Sequence, residues 1–361
     1  MKKLLVVTDV SFSNNANGPM NTLKNFLSYV PADMQVTVIS DTPIYYGDNI
    51  ENTVIDYSYR INILRKIFMS VNFSSHNSQK DIVSAINDWG DNPILLCTSS
   101  CNVYRKYCNG ANVYLIITDL PTIAYRKYIV ETNNILKKAF YIKEYLYCSY
   151  YEKLLPKLYR RIVLVNEKEA EEANNKNETN RFVWIPVVYK KVDCIFEKCR
   201  IDEKINLVFI GNMTFTPNEN GIKLFYNKVF SKLNDKFHLH LIGKESEKFF
   251  KNDKRVKTYG FVDDLGELVS KMDYGICFMR DGGGMKNKIF DYMKYGIPCI
   301  INRYCMLSNY IDSDYVFVAD DVKEFLEVLN IGRPDPEKIK KSIEKYEVSN
   351  VASKFWKVFE A

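Results

Sequence analysis

The chain has 361 residues, of which 47% are hydrophobic and 26% are charged, a composition typical of a soluble globular protein with two domains. Its formal net charge of +6 is too small to indicate a nucleic-acid-binding protein, and no recognition motif for nucleic acid accompanies it. The nine cysteines form neither a CxxC pair nor a Cys/His cluster with zinc spacing. They are predicted to be buried free thiols in a reducing compartment.

The N-terminus turns apolar in LLVVTDV at 4–10, but this run is too short for the hydrophobic region of a signal peptide. It is predicted to be a buried first strand. No stretch approaches the roughly 20 apolar residues of a membrane-spanning helix. We therefore expect a cytoplasmic protein.

Short apolar runs alternate with helical patterns through the first half of the chain. The predicted strands are 4–10, 35–40, 93–99, 112–119, 161–166 and 181–186, and the predicted helices are 19–30, 79–89 and 122–158. Strands that are apolar throughout and separated by helices indicate a parallel sheet covered on both faces.

A basic stretch at 126–161 holds nine Lys or Arg against three Glu, with eight aromatic residues interleaved. One interpretation is a solvated pair of amphipathic helices. The other is a surface for an anionic lipid or an anionic acceptor, which predicts peripheral contact with the inner face of the plasma membrane.

The alternation lapses at 187–203 and then restarts. Strands are predicted at 204–212, 237–243, 256–260, 274–279, 297–302 and 315–319, and helices at 218–233, 263–272, 286–295 and 335–360. The sequence thus predicts two doubly wound α/β domains, at 1–186 and 204–340, joined by a linker at 187–203. A C-terminal helix at 341–361 is a candidate to cross back to the first domain. We expect the ligand site in the cleft between the domains, because such sheets bind ligands beyond the carboxyl ends of their strands.

Three glycines separate the strand at 274–279 from the next predicted helix, in DGGGMKNKIFDYMKYGIP at 281–298. Glycines let backbone N–H groups approach an anion, and the first turn of a helix favours phosphate. Lys286 and Lys288 add positive charge there. Asp291, about 1.5 turns into the helix, is placed to accept hydrogen bonds from ribose hydroxyls. The segment therefore predicts a site for a diphosphate and a ribose.

The alternative is a plain Gly-rich turn before a surface helix that ends at Gly296, with Pro298 just beyond. The helix dipole argues against this alternative. Lysines usually avoid a helix N-terminus because the dipole repels them, so two lysines there indicate a bound anion.

The stretch GGGMKNKIFDYMKYGIPCII resembles the donor-binding segment of the retaining glycosyltransferases of the GT-B fold, known as group 1. In that family a loop reads roughly G-x-G-x-K-x-K-x-x-E-A-M-x-x-G-x-P-V-V. The matching positions are Gly282, Gly284, Lys286, Lys288, Met293, Gly296 and Pro298. Segments at 207–230, 239–246 and 256–278 resemble the family's preceding units. More weakly, 118–128 and 146–173 resemble a subgroup that makes bacterial surface polysaccharides.

The resemblance implies a GT-B fold of two Rossmann-like domains facing a cleft. It also implies transfer of a sugar, of hexosyltransferase type, from a UDP- or GDP-sugar to a glycan or lipid-linked glycan. Lys286, Lys288 and Asp119 are the candidate catalytic residues. The candidate donor-binding residues are Gly18, Gly211, Asn212, Phe261, Val262, Asp281, Gly282, Gly283, Gly284, Met285, Asn287 and Asp291. For Asp119, a structural role in capping the next helix is an equal alternative.

The chain departs from the family pattern at one of its usual two glutamates. Asp291 stands at the position of the second glutamate. Gly283 stands at the position of the first, so the first carboxylate is absent unless Asp281 supplies it. The family's frequent catalytic histidine also has no clear counterpart among His76, His238 and His240.

The resemblance implies retention, with the leaving phosphate taking the acceptor proton, so no enzymic nucleophile is required. Fixed donors aimed at the leaving diphosphate are expected to supply most of the catalysis. No cofactor or metal is expected, because GT-B enzymes seldom need a metal. Asp312 and Asp314 have the spacing of a metal-binding DxD pair, but they are predicted to lie in a turn. The alternatives are a nucleotide-sugar epimerase of the same fold and a non-catalytic module that binds nucleotide or glycan. A dinucleotide-dependent dehydrogenase is disfavoured, because no GxGxxG follows the first strand.

Overall fold

The computed structural model describes residues 1–8, 18–55, 70, 72–73, 78–192, 204–262, 264–280, 286–308 and 313–360. The chain forms two compact α/β units. One unit consists of Met1–Val187 with Val351–Ala361, and the other of Val188–Asn350.

The first unit is built on a parallel sheet of seven strands in the order β3-β2-β1-β4-β5-β6-β7. The strands are β1 Lys2–Thr8, β2 Met34–Ser40, β3 Ile50–Val54, β4 Ile94–Cys97, β5 Val113–Ile116, β6 Arg161–Leu164 and β7 Phe182–Trp184. The order reverses direction after β1, as in doubly wound folds. All four residues of β4 are buried, because helices cover both faces of a parallel sheet.

Among the described residues before the second unit there are five α-helices. They are α1 Gly18–Leu27, α2 Lys80–Asp88, α3 Pro121–Glu131, α4 Ile135–Leu158 and α5 Glu167–Asn177, with a 3-10 helix at Ser100–Tyr107. The predicted helix at 122–158 is in fact two helices. The break follows from Asn134, which lies outside helical geometry and accepts a hydrogen bond from the Lys137 N–H as the N-cap of α4.

The C-terminal residues return to the first unit through aromatic packing. The ring of Phe355 stacks on Phe26 of α1 with centroids 4.2 Å apart, and Phe359 meets the edge of Tyr114 in β5 at 5.0 Å. Residues 351–361 therefore complete the core of this unit.

The second unit contains a parallel sheet of six strands in the order β10-β9-β8-β11-β12-β13. The strands are β8 Ile205–Ile210, β9 Phe237–Ile242, β10 Val256–Thr258, β11 Tyr274–Cys277, β12 Cys299–Ile301 and β13 Val316–Val318. The helices are α6 Thr216–Lys228, α7 Gly266–Val269, α8 Asn287–Met293, α9 Arg303–Ser308, α10 Val322–Asn330 and α11 Pro336–Ser342. The last helix, α12 Val348–Lys357, starts in this unit and continues into the first. Short 3-10 helices lie at Phe230–Lys232, Ser246–Lys248 and Glu344–Tyr346.

Both sheets confirm the predicted pair of doubly wound α/β sheets. The seven cysteines of the described residues are buried and free, as expected. Among the described residues, no helix is both long enough and apolar enough to cross a membrane.

Two buried glutamates satisfy the N-terminus of α3. Glu152 of α4 accepts from the backbone N–H of Thr122 at 3.0 Å and from its hydroxyl at 2.7 Å. Glu169 of α5 accepts from the N–H of Leu120 at 3.2 Å. Burial raises the pKa of Glu169 to about 8, and the nearby charge of Asp119 adds to that shift. Glu169 is therefore mostly protonated at neutral pH.

We expect Glu169→Gln to make the protein more stable at pH 8.5 and to change little near pH 4.5. The folded pKa of about 8 lies above the ordinary pKa of a glutamate carboxyl group, about 4.3, so the unfolded chain releases this proton first. Stability then falls as pH rises between these values, by a total on the order of 5 kcal/mol. The glutamine keeps an acceptor oxygen and removes the charge. Melting temperatures of both proteins between pH 4.5 and 8.5 test this.

Glu171→Gln, an exposed change on the same helix, is the matched control and should follow the wild type at every pH. Parallel melting curves for wild type and Glu169→Gln across the range would contradict the prediction.

Candidate functional site

Three adjacent strands of the second unit each end at or near a glycine: Gly211 follows β8, Gly243 follows β9, and Gly260 lies just beyond β10. The N–H of Gly243 donates to the Gly260 carbonyl at 2.6 Å. A Cβ atom on Gly243 would lie 2.1 Å from the Gly211 carbonyl oxygen, and its φ of +130° also favours glycine. The segments that follow β8, β9 and β10 therefore pack closely against one another at the carboxyl edge of this sheet, where Gly243 has no room for a side chain.

Lys288 of α8 lies at the same edge. Its Nζ donates to Oδ1 of Asn218 in α6 at 2.8 Å and lies 4.0 Å from the centroid of the Phe209 ring. Asn218 in turn donates through Nδ2 to the carbonyl of Asn212 at 3.0 Å. A chain of contacts thus joins α8, α6 and the loop after β8.

The charge on Lys288 lacks an anionic partner among the described residues. Burial lowers the pKa of its ammonium group, and the positive charge of Lys286 lowers it further, while the Cys277 thiol opposes this. Within that part of the chain, its only hydrogen-bond acceptor is the neutral amide of Asn218. Lys286 is also buried, with 8% of its surface exposed. A buried cation beside a neutral group is unfavourable, so an anion bound there would be stabilised.

Tyr292 fixes the position of α8 against the sheet. Its buried hydroxyl donates to the Ile276 carbonyl at 2.9 Å and accepts from the Ile210 N–H at 2.9 Å. A Cβ atom on Gly275 would lie 2.1 Å from the Tyr292 ring, so only glycine permits this approach. Gly296 ends the helical segment with a φ of +69°, as the stop signal predicts. Lys286 and Lys288 are thereby held at a fixed distance from β8 and β11.

Asn302 holds the chain that enters the Gly-rich segment. Its amide nitrogen donates to the Met279 carbonyl at 2.7 Å, and its amide oxygen accepts from the Met279 N–H at 3.0 Å. Sequence analysis missed this residue. The signal in the sequence is a polar side chain directly after the buried strand β12, a position at the carboxyl edge of the sheet.

Asp291 forms an ion pair with Lys294, with 2.8 Å between Oδ1 and Nζ, and about a third of its side chain is exposed. Burial alone would lower the pKa of Lys294, but the charge of Asp291 and its hydrogen bond outweigh burial and raise it. Sequence analysis did not foresee this partner, although the spacing of three residues on a helix allows it. Asp291 thus already has a cationic partner within its own helix segment.

Phe261 follows Gly260 with 59% of its surface exposed, and Val262 is partly exposed. Asn287 begins α8, and Asn212 binds the N–H of Thr214 through Oδ1 at 3.0 Å. The described donor-binding candidates of the second unit therefore lie in the loop after β8, just beyond β10, and in α8.

Five of the predicted site residues fall outside the described residues: Asp281, Gly282, Gly283, Gly284 and Met285. His76 and Asp312 are outside them as well. Gly18 begins α1 and Asp119 follows β5, both in the first unit. Glu169 and Glu152 accept from the N–H groups of Leu120 and Thr122 at the start of α3.

His240 is a structural residue of the second sheet. Its ring nitrogens lie 2.8 Å from the Tyr259 hydroxyl and 3.1 Å from the Asn206 amide oxygen. Burial lowers its pKa to about 4, helped by the charge of Lys257, so it is neutral at physiological pH. Among the described residues, no three His, Cys, Asp or Glu side chains are grouped so as to hold a metal ion.

Residues 204–330, about a third of the chain, match the sequence model of the family described as glycosyl transferases group 1. No curated protein sequence matches the chain significantly.

Solved structures resemble the chain over almost its whole length. WaaG, described as a glycosyltransferase involved in lipopolysaccharide biosynthesis, is 11% identical with a TM-score of 0.64 over 99% of both chains. HepE of Anabaena, in complex with UDP and glucose, is 10% identical with a TM-score of 0.63 over 100% of both chains. TarM is 10% identical with a TM-score of 0.67 over 100% of this chain and 99% of its own. At such identities the likeness establishes the fold.

The chain therefore has the fold of GT-B glycosyltransferases, two parallel-sheet α/β units, and its second unit carries a segment of the glycosyl transferases group 1 type.

Proposed function

We propose that this protein is a glycosyltransferase of hexosyltransferase type that takes a sugar from a nucleotide-diphosphate sugar. The observation that carries the proposal is Lys288, a partly buried ammonium at the carboxyl edge of the second sheet, hydrogen-bonded to the neutral Asn218. The diphosphate of the donor is the anion that would compensate this charge. The group 1 match of residues 204–330 supports the same reading.

The diphosphate is proposed to bind at Lys286 and Lys288. The backbone N–H groups of Gly283 and Gly284, which lie outside the described residues, are the further candidates. The exposed ring of Phe261 and the backbone near Val262 would receive the base, and Asp291 would receive the ribose. Gly211 and Asn212 line the same edge. HepE is described in complexes with UDP and with UDP-glucose, which makes UDP the first nucleotide to test.

Charge develops on the diphosphate as the sugar C1–O bond breaks, so fixed cations stabilise the transition state more than the ground state. Lys288 is held by Asn218, and α8 is held by Tyr292, so neither needs to reorganise during the reaction. We propose transfer with retention, in which the leaving phosphate takes the acceptor proton.

The acceptor is proposed to be a glycan or a lipid-linked glycan of a bacterial surface polysaccharide. WaaG is described as acting in lipopolysaccharide biosynthesis, and TarM is described in a complex with a glycan and UDP. Asp119 is the proposed polar group on the acceptor side. A cytoplasmic location with peripheral contact of 126–161 to the inner face of the plasma membrane completes the proposal.

A non-catalytic binding module is the second candidate, because Gly283 stands where the family usually has a glutamate. Tight UDP binding without turnover of any donor would favour it. Neither the family match nor the structures named above supports an epimerase.

Lys288→Met should weaken UDP and UDP-sugar binding at least tenfold, which is about 1.4 kcal/mol, because it removes a fixed cation from the diphosphate. The unliganded protein should keep or gain thermal stability, since the change removes a buried charge that has a neutral partner. Calorimetric titration with UDP and melting curves without ligand measure the two effects.

Lys228→Met is the matched control, since Lys228 is exposed at the other end of α6 from Asn218. It should leave UDP affinity unchanged. An unaltered UDP affinity in well-folded Lys288→Met would overturn the assignment of the diphosphate site.

Chelation with EDTA should leave transfer activity intact, because the lysines are proposed to carry the role that a divalent cation has in metal-dependent glycosyltransferases. The measurement is release of UDP from a UDP-sugar with and without EDTA. Loss of activity that Mg²⁺ or Mn²⁺ restores would refute the metal-free proposal.

A further inference from the structure

The outward face of α4 is apolar. Ile135 and Leu136 are each 83% exposed, Leu146 is 62% exposed and Tyr150 is 61% exposed, with Ile142 between them at 42%. Ile135, Ile142, Leu146 and Tyr150 recur at spacings of seven and four residues, so they form one stripe along the helix. A surface helix normally presents polar residues to solvent, and this one presents its apolar residues.

The inward face of α4 carries the acidic residues. Glu144 and Glu152 are both buried. Glu152 is fixed at the N-terminus of α3 by Thr122, and Glu144 accepts from the Ser70 hydroxyl at 3.1 Å and pairs with Lys143 at 2.6 Å. These contacts set the rotation of the helix, so the apolar stripe cannot turn inward without losing them.

The charges on the outside of α4 have one sign. The only acids between residues 135 and 158 are the two buried glutamates. The exposed lysines of the helix are Lys137, Lys138, Lys153 and Lys157. The exposed surface of α4 therefore combines an apolar stripe with lysines and carries no exposed carboxylate of its own.

We propose that this outward face of α4 binds the surface of an anionic lipid bilayer, with the helix, about 36 Å long, lying in the plane of the interface. Leu, Ile and Tyr side chains enter the boundary between headgroups and acyl chains, where tyrosine is enriched. The lysines meet anionic headgroups, each adding to the attraction. The single sign of charge favours an anionic surface over a second copy of this chain, whose own α4 would repel it.

Only part of the basic stretch at 126–161 belongs to the proposed lipid-binding surface, namely the outward face of α4. Tyr159 is buried in the core, and Lys143 is committed to Glu144. Val130, 77% exposed at the end of α3, extends the face at the turn into α4.

The test uses the full chain and flotation with two kinds of vesicle, phosphatidylcholine alone and phosphatidylcholine with a quarter phosphatidylglycerol. The wild type should bind the anionic vesicles at least tenfold more tightly than the neutral ones. The triple variant Ile135→Ser, Leu136→Ser, Leu146→Ser should lose at least tenfold on anionic vesicles. The triple variant Lys137→Gln, Lys138→Gln, Lys153→Gln should lose the preference for anionic vesicles.

The matched control is Leu326→Ser with Ile331→Ser, which removes exposed apolar side chains from the second unit and should bind vesicles like the wild type. All variants should bind UDP like the wild type, which separates this proposal from that for the donor site.

Two outcomes would overturn the proposal. One is equal binding of the wild type and the serine variant to anionic vesicles. The other is a wild-type dimer at micromolar concentration that becomes monomeric in the serine variant without vesicle binding by either protein. That result would assign the face to contact between two copies of the chain.

Discussion

One buried ammonium organises the carboxyl edge of the second sheet. Lys288 reaches the amide of Asn218, and Asn218 reaches the carbonyl of Asn212, so a single chain of hydrogen bonds connects two helices with the loop after β8. A neutral amide orients this cation without cancelling its charge. The site therefore retains positive charge in a partly buried place, which is the condition for binding a diphosphate strongly. Gly275 and Tyr292 also keep this charge in place, because they fix α8, the helix that carries Lys288.

Much of the fold could be predicted because most strands are continuous apolar runs. β4 and β11 are examples, buried along their whole length. Two of the elements that were missed lack that signal. β3, IENTV, is an edge strand with little burial. α5, EKEAEEANNKN, has almost no apolar periodicity and depends on the Asn166 cap and on Ala170 and Ala173. Such elements are specified by tertiary contacts that a local pattern does not contain.

The candidate site was predictable only in part, for a related reason. Charge and glycine content are local properties, so Lys286 and Lys288 stood out from the sequence. Asn302 binds backbone atoms of Met279, 23 residues earlier, and Asn218 binds the side chain of Lys288, 70 residues later, and no spacing rule links either pair. The pair of Asp291 and Lys294 is local, yet the resemblance directed attention to ribose and away from this partner.

One constraint explains both the acidic side chains on the buried face of α4 and the apolar side chains on its exposed face. Glu144 and Leu146 are two residues apart and so lie about 200° apart around the helix, on nearly opposite sides. A helix has one rotation about its axis. Once the contact with the Ser70 hydroxyl places Glu144 on the inside, Ile142 and Leu146, each two residues away, must face outward. A contiguous exposed apolar patch lowers solubility unless something covers it. The buried carboxylate of Glu144 thus determines which face of α4 is exposed, and that face is the one proposed to bind a lipid surface.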